Sequence, residues 1–233
     1  VAYASPTERG NFRNYSTALL PLNNSGVTGS AQFTFEGKEL NVNLTASGLE
    51  PNRPHPVHIH GKLTGADAMC PTNAADVNND GFVSVFEGAP AYGPIKLNIT
   101  SPQTPFGPPA NTTLFAPFAG SPNLEDFPVG TADGNISINE MYSFDFSKSA
   151  DRQAYFQLKA LDKQHIVVHG GFAPESVDTP GGSSEKVYDV LLPVACGTIQ
   201  LTYGKNNTAQ LNVKMSKVDA RHAHMNHEDG RDN

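Results

Sequence analysis

Apolar and polar residues alternate in short runs along much of the chain. Phe33 and Phe35 alternate with Thr34 and Glu36, and Leu40, Val42, Leu44 and Ala46 alternate with Asn41, Asn43 and Thr45. Successive side chains of a strand point to opposite faces, so each run predicts a strand with one face in a core. Gly37, between the two runs, predicts a hairpin turn. Further runs carry Val57 and Ile59; Ile95, Leu97 and Ile99; Ile166 and Val168; Ile199 and Leu201; and Leu211, Val213 and Met215. No segment sustains an apolar stripe at 3.6 residues, so the pattern predicts an all-β protein. Residues 102–128 and 170–184 are rich in Pro, Gly, Asn and Ser, which predicts two long loops. Asp133-Gly134-Asn135 predicts a hairpin turn.

A chain of 233 residues can bury one good-sized core. The expected organisation is an N-terminal extension over 1–15, a single β-barrel domain over 16–218, and a charged tail over 219–233 without apolar period. Net charge is -7, with no run of basic residues, which argues against a nucleic-acid partner or an anionic membrane surface. No apolar stretch approaches the roughly 20 residues that span a bilayer, so no membrane insertion is expected. The first residues lack a charged and apolar leader, as in a mature chain. Seven Asn-X-Ser/Thr triplets begin at Asn14, Asn23, Asn43, Asn98, Asn111, Asn135 and Asn206. Chance at this composition gives about three, and the excess predicts a secreted glycoprotein. Asn43 and Asn98 fall on the expected polar faces of their strands.

Five of eight histidines lie in two strand-like segments, His55-Pro-Val-His58-Ile-His60 and His165-Ile-Val-Val-His169. Residues i and i+2 of a strand share a face, so His58 and His60 point one way and Val57 and Ile59 the other. Two such imidazoles can converge on one Cu²⁺ or Zn²⁺ ion, with His169 as a third ligand from a distant strand. Gly170-Gly171 would let the chain turn away beside the ion. Alone, His-X-His is as often two solvated surface imidazoles. His222, His224 and His227 form a separate group in the tail.

Gly48-Leu49-Glu50-Pro51 followed by His55-Pro56-Val57-His58-Ile59-His60-Gly61 resembles the segment of copper-zinc superoxide dismutases that supplies their first copper ligands. Gln164-His165-Ile166-Val167-Val168-His169-Gly170 is similar to the late copper-ligand strand, and Leu192-Pro193-Val194-Ala195-Cys196-Gly197 to the C-terminal cysteine segment. The resemblance spans Ser16 to Tyr203. It implies a Greek-key β-barrel, copper ligation by His58, His60 and His169, and a disulfide between Cys70 and Cys196. That bridge would close a loop of more than 100 residues. Two features depart from the family. No histidine lies between Cys70 and His165, which removes the bridging and zinc ligands, and Pro193 stands where the family carries an arginine that guides its anionic substrate. Arg53 or Lys163 would have to supply that charge.

The twelve residues from Asp76 to Glu87, Asp-Val-Asn-Asn-Asp-Gly-Phe-Val-Ser-Val-Phe-Glu, fit a calcium loop of EF-hand type. Asp76, Asn78 and Asp80 stand at positions 1, 3 and 5, Gly81 at the sharp turn, and the Phe82 carbonyl at 7. Ser84 falls at 9 and Glu87 at 12, and hard oxygen donors of this kind suit Ca²⁺. Long amphipathic helices do not flank the loop, which lies where the family's zinc loop would be. The expected function is a secreted, calcium-stabilised metal-binding protein with weak or no dismutase activity. A copper-only dismutase-like oxidoreductase and an extracellular filament or matrix subunit are the rival readings. The sequence leaves self-association into a homo-oligomer open.

Overall fold

The computed structural model describes residues 12–107, 119–177 and 182–204. Nine strands form one curled antiparallel sheet: β1 (Arg13–Pro21), β2 (Thr28–Glu36), β3 (Glu39–Ser47), β4 (Val57–His60), β5 (Ile95–Asn98), β6 (Ile136–Ser143), β7 (His165–Pro174), β8 (Lys186–Thr198) and β9 (Gln200–Gly204). Their spatial order is β5-β4-β7-β8-β1-β2-β3-β6, with β9 beside the first half of β1. The chain leaves β3 to build β4 and returns from β6 to β7, so two connections cross in the Greek-key manner. The sheet is a half-barrel whose edges, β5 and β6, approach where the Tyr142 hydroxyl accepts the Thr100 N–H at 3.2 Å. This is the all-β architecture that the alternation predicts.

Alternation places the core. Phe33, Phe35, Leu40, Val42, Leu44 and Ala46 are buried on the concave side, joined there by Val57, Ile59, Ile166 and Val168. Gly37 makes the predicted turn, with φ 57°. Strand β1 begins at Arg13, inside the stretch expected to be an extension, because Tyr15 and Leu19 are core residues of a strand paired to both β2 and β9. Strand β6 escapes the pattern because Glu140 occupies an inward position between Ile138 and Tyr142 while Met141 faces outward. The Thr131–Asn135 turn forms, with Asn135 O accepting the Thr131 N–H at 2.9 Å. Its upstream arm is a single bridge, Pro54 to Val129, and not a strand, since Pro128 cannot donate to a ladder. The expected strand at 211–215 lies outside the described residues.

Two helices were not legible as apolar stripes. Helix α1 (Val85–Tyr92) buries Val85, Gly88 and Tyr92, and the glycine and Pro90 hide its period. A Cβ on Gly88 would lie 2.6 Å from the Tyr92 ring, so the helix needs that glycine. Helix α2 (Ser149–Leu158) buries Asp151, Ala154 and Leu158, too few apolar residues to mark a stripe.

The candidate glycosylation sites divide. Asn43 and Asn135 are exposed, and Asn14 is half-buried with its Oδ1 accepting the Thr34 hydroxyl at 3.0 Å. Asn98 is corrected: it is 1% exposed and its amide donates to Ala119 O at 2.6 Å, because loop 119–130 covers the face expected to be polar. Asn23 is half-buried, and its Nδ2 donates to both Val83 O and Pro193 O. Asn111 and Asn206 lie outside the described residues.

Cys70 and Cys196 are joined, 126 residues apart in sequence. In the chain-entropy account, closing a loop of that length lowers the entropy of the unfolded chain by about 4 to 5 kcal/mol. Replacing both cysteines with alanine is therefore expected to lower the unfolding free energy by roughly that amount, measured by urea denaturation. An unchanged midpoint would contradict it.

Candidate metal centre

The pairing of β4 with β7 sets the site. Val57, Ile59, Ile166 and Val168 lie on the core face, opposite one another as Val57↔Val168 and Ile59↔Ile166. The other face therefore carries His58↔Val167 and His60↔His165, with His169 two residues beyond Val167. His169 N–H donates to Pro56 O at 2.8 Å, which places His58 between His60 and His169 along the ladder. Ring centroids are 5.5 Å apart for His58 and His60, 5.0 Å for His58 and His169, and 6.0 Å for His60 and His169. One nitrogen from each ring lies within 4.8 Å of the others.

This outer face is not solvated, as the surface-imidazole alternative would require. His58, His60 and His169 are 5%, 2% and 1% exposed. Tyr92, at the end of α1, packs on His60 with centroids 4.5 Å apart. Phe127 meets the edge of His58 at 5.4 Å. The strap bearing Phe127 is fastened by the His55 N–H to Pro128 O at 2.8 Å and the Asn52 N–H to Gly130 O at 2.9 Å. Cys196 sits on β8 opposite Val167, so the disulfide pins the segment from Gly61 to Gly93 over the same face.

Two carbonyls settle the tautomers. Gly93 O faces His60 Nδ1 at 2.8 Å and Leu191 O faces His169 Nδ1 at 2.7 Å. A carbonyl only accepts, so both Nδ1 atoms carry the proton and both Nε2 atoms present a lone pair. Those Nε2 atoms, and His58 Nδ1, are buried without a hydrogen-bond partner. The middle histidine thus offers its near nitrogen and the outer two their far ones. Burial holds the rings neutral: desolvation lowers His60 to about 3 and His169 to about 4, and lowers His58 well below the usual imidazole range. Three orphaned buried nitrogens would each cost about 1 to 3 kcal/mol. One transition-metal ion satisfies all three, and neutral imidazole is its preferred donor.

His55 belongs to the frame and not to the ligand set. Its Nδ1 lies 3.0 Å from His169 O and its Nε2 3.0 Å from Glu50 O, which braces the backbone behind His169. Gly170, with φ 102°, continues that brace, since a Cβ there would meet His55 Nδ1 at 2.8 Å. His165 is turned to the Thr198 hydroxyl at 2.8 Å. His222, His224 and His227 lie outside the described residues. Sequence reasoning missed Phe127, Tyr92 and the carbonyls of Gly93 and Leu191. Backbone acceptors leave no residue-type signal, and the aromatics come from a loop and from the end of a helix whose period is hidden.

The loop from Asp76 to Glu87 is compact but less convergent. Asp76 Oδ1 and Oδ2 accept the Asp80 and Gly81 N–H groups at 3.1 and 2.9 Å. Asn78 Oδ1 accepts the Asp80 N–H at 3.0 Å, and Asp80 Oδ1 the Phe82 N–H at 2.9 Å. Glu87 reaches back along the loop, accepting the Val77 N–H at 3.0 Å and the Ser84 N–H at 2.9 Å, and Ser84 caps α1 in return. Asn79 and Gly81 take the left-handed turn with φ 60° and 90°. The carboxylates of Asp76, Asp80 and Glu87 do not gather as closely as the three imidazoles do.

No model of a known protein family matches the chain, and no curated protein is significantly similar to it in sequence. The residues themselves define the site: a buried three-histidine centre on the outer face of a disulfide-bonded half-barrel. Among the described residues, no helix is long and apolar enough to cross a membrane.

The depressed imidazoles make the metal-free protein sensitive to acid. Between about 6.5, the unfolded value, and the folded values of about 3 and 4, the unfolded chain binds more protons, so stability rises with pH across that window. The melting temperature of the metal-free protein is therefore expected to hold from pH 8 to 7 and to fall steadily below about 6.5. A melting temperature that is constant from pH 7 to 5 would contradict buried neutral histidines.

Proposed function

We propose that the protein is an extracellular, superoxide dismutase-like metal-binding protein in which His58, His60 and His169 hold Cu²⁺ or Zn²⁺ and the Asp76 to Glu87 loop holds Ca²⁺. The observation that carries the histidine reading is the set of three partnerless, buried ring nitrogens turned toward one another. Extracellular location is favoured by the disulfide and by the sequons, since such bridges persist in oxidising compartments. Bound copper would supply one-electron redox chemistry. The chain's own residues orient the ligands and keep water from them.

Efficient turnover of an anion finds little support in the surroundings. The imidazoles are buried beneath Phe127 and Tyr92. Pro193 lies opposite His169 in the β7–β8 ladder and brings no charge. The Arg53 guanidinium lies over the Tyr188 ring, 5.3 Å from its centroid, and the Lys163 ammonium donates to Gly65 O at 3.3 Å. Electrostatic guidance changes association rates by about 10 to 10³-fold, so a site without it handles an anion slowly.

Calcium would stiffen the same centre. The motif supplies Asp76, Asn78, Asp80, the Phe82 carbonyl, Ser84 and Glu87 as ligands. Glu87 is in the first turn of α1, whose far end presents Tyr92 and the Gly93 carbonyl to His60. Asn23 ties the loop to the barrel: its Oδ1 accepts the Val83 N–H at 2.7 Å, and its Nδ2 donates to Val83 O and to Pro193 O.

Two measurements test the reading. Replacing both His58 and His60 with alanine is expected to abolish stoichiometric Zn²⁺ or Cu²⁺ binding in calorimetric titration, and copper-loaded protein should show dismutase activity far below diffusion control. Rapid, salt-sensitive superoxide turnover would favour the oxidoreductase. Removal of Ca²⁺ by EGTA from a solution at 100 times its dissociation constant should cost about 2.7 kcal/mol and lower the melting temperature by roughly 5 to 10 °C. An EGTA-insensitive melting curve would remove calcium from the proposal.

A further inference from the structure

A cavity of about 280 Å³ with no histidine in its lining lies between the 62–66 loop, the end of α2 and the turn at Leu161–Lys163. Lys62, Lys96 and Lys163 line it, and among the described residues no carboxylate does. Lys96 is the unusual member. Ile95 and Leu97 oppose consecutive residues of β4, His60 and Ile59, so Lys96 is the extra residue of a bulge, a feature that re-aims a side chain. It is 5% exposed, and its ammonium donates to the neutral Gln157 Oε1 at 3.1 Å. Among the described residues it joins no ion pair. A buried cation with two of three donors unused is costly unless something answers its charge.

The other cations leave donors available. Lys163 gives one hydrogen to Gly65 O, and Lys62 gives one to Pro90 O. Gln164, also buried, donates Nε2 to Gln157 O at 2.6 Å, which closes the floor beneath the end of α2. The rim is apolar: Leu63 is 66% exposed and Phe156 61% exposed. The space is therefore cationic at its base and hydrophobic at its mouth.

We propose that this cavity binds a carboxylate carried on a compact apolar body, with the carboxylate on Lys96 and Lys163 and the body against Phe156 and Leu63. A free small acid and the C-terminal carboxylate of a peptide ending in an aromatic residue share this chemistry. The site is independent of the histidine and calcium readings.

The test is a titration of the full chain with sodium benzoate, sodium acetate and inorganic phosphate, followed by backbone amide shifts of residues 61–66, 96 and 156–164. Benzoate should bind saturably at one site and more tightly than acetate or phosphate. Lys96→Met should weaken benzoate at least about tenfold, the scale of a lost charge-assisted contact. Gln157→Glu places a carboxylate beside the ammonium, so it should abolish benzoate binding and raise the melting temperature. The dispersion of the same amide spectrum verifies that each variant is folded. If Lys96→Met does not fold, Gln157→Glu still decides. A Phe-terminated peptide as free acid and as amide separates the two sources, and binding by the acid alone would place the partner among protein C-termini. Benzoate that leaves these amides unmoved, or that binds Gln157→Glu as well as the native chain, overturns the site. Phosphate binding as tight as benzoate overturns the apolar body.

Discussion

The structure depends most on the register between β4 and β7. Side chains alternate with a period of two, so this single alignment sends Val57, Ile59, Ile166 and Val168 into the core and turns His58, His60 and His169 the other way. A slip of one residue would bury imidazoles in the hydrocarbon core and strand four aliphatic residues outside it. The cost of that exchange defends the histidine cluster without any metal. The same aliphatic residues that stabilise the barrel therefore position the imidazoles.

A second constraint converts an outer sheet face into an interior. The disulfide ties Cys70 to β8 beside Val167, and the chain between Gly61 and Gly93 is held across the histidines by that bond. Tyr92 and the Gly93 carbonyl reach His60 only because α1 ends there. Phe127 arrives from the opposite side on its own strap. Burial then has two effects on one set of atoms: it keeps the rings neutral, and it deprives their free nitrogens of water. Both favour a borderline transition-metal cation and disfavour easy entry by an anion. The loop that resembles a calcium site is attached to this cover at its first helical turn and through Asn23.

Much was legible in the sequence because the physics was local. Alternation over 33–46 marked β2, β3 and their Gly37 turn, and His-X-His marked two ligands on one strand face by period alone. The end of an apolar run before Gly170-Gly171 marked His169, and the family resemblance marked the cysteine pair; the structure gathers the three imidazoles and joins the cysteines. Where local rules conflicted, the sequence was silent or misleading. Gly88 and Pro90 concealed α1, and Glu140 interrupted β6.

What the sequence determined by itself is the alternation that makes a half-barrel and the chemistry of its donors: nitrogen at three histidines, oxygen along the Asp76 to Glu87 loop. What only tertiary structure decided is which faces meet water. Asn98 looked like a surface acceptor for a glycan and is buried under loop 119–130, and Lys96 looked like an ordinary strand lysine and is enclosed with no counter-charge among the described residues. The tautomers of His60 and His169 were likewise set by carbonyls 33 and 22 residues away. Periodicity fixes the direction of a side chain relative to its own strand, but burial depends on what other segments lay over that face, and those contacts join residues far apart in the chain.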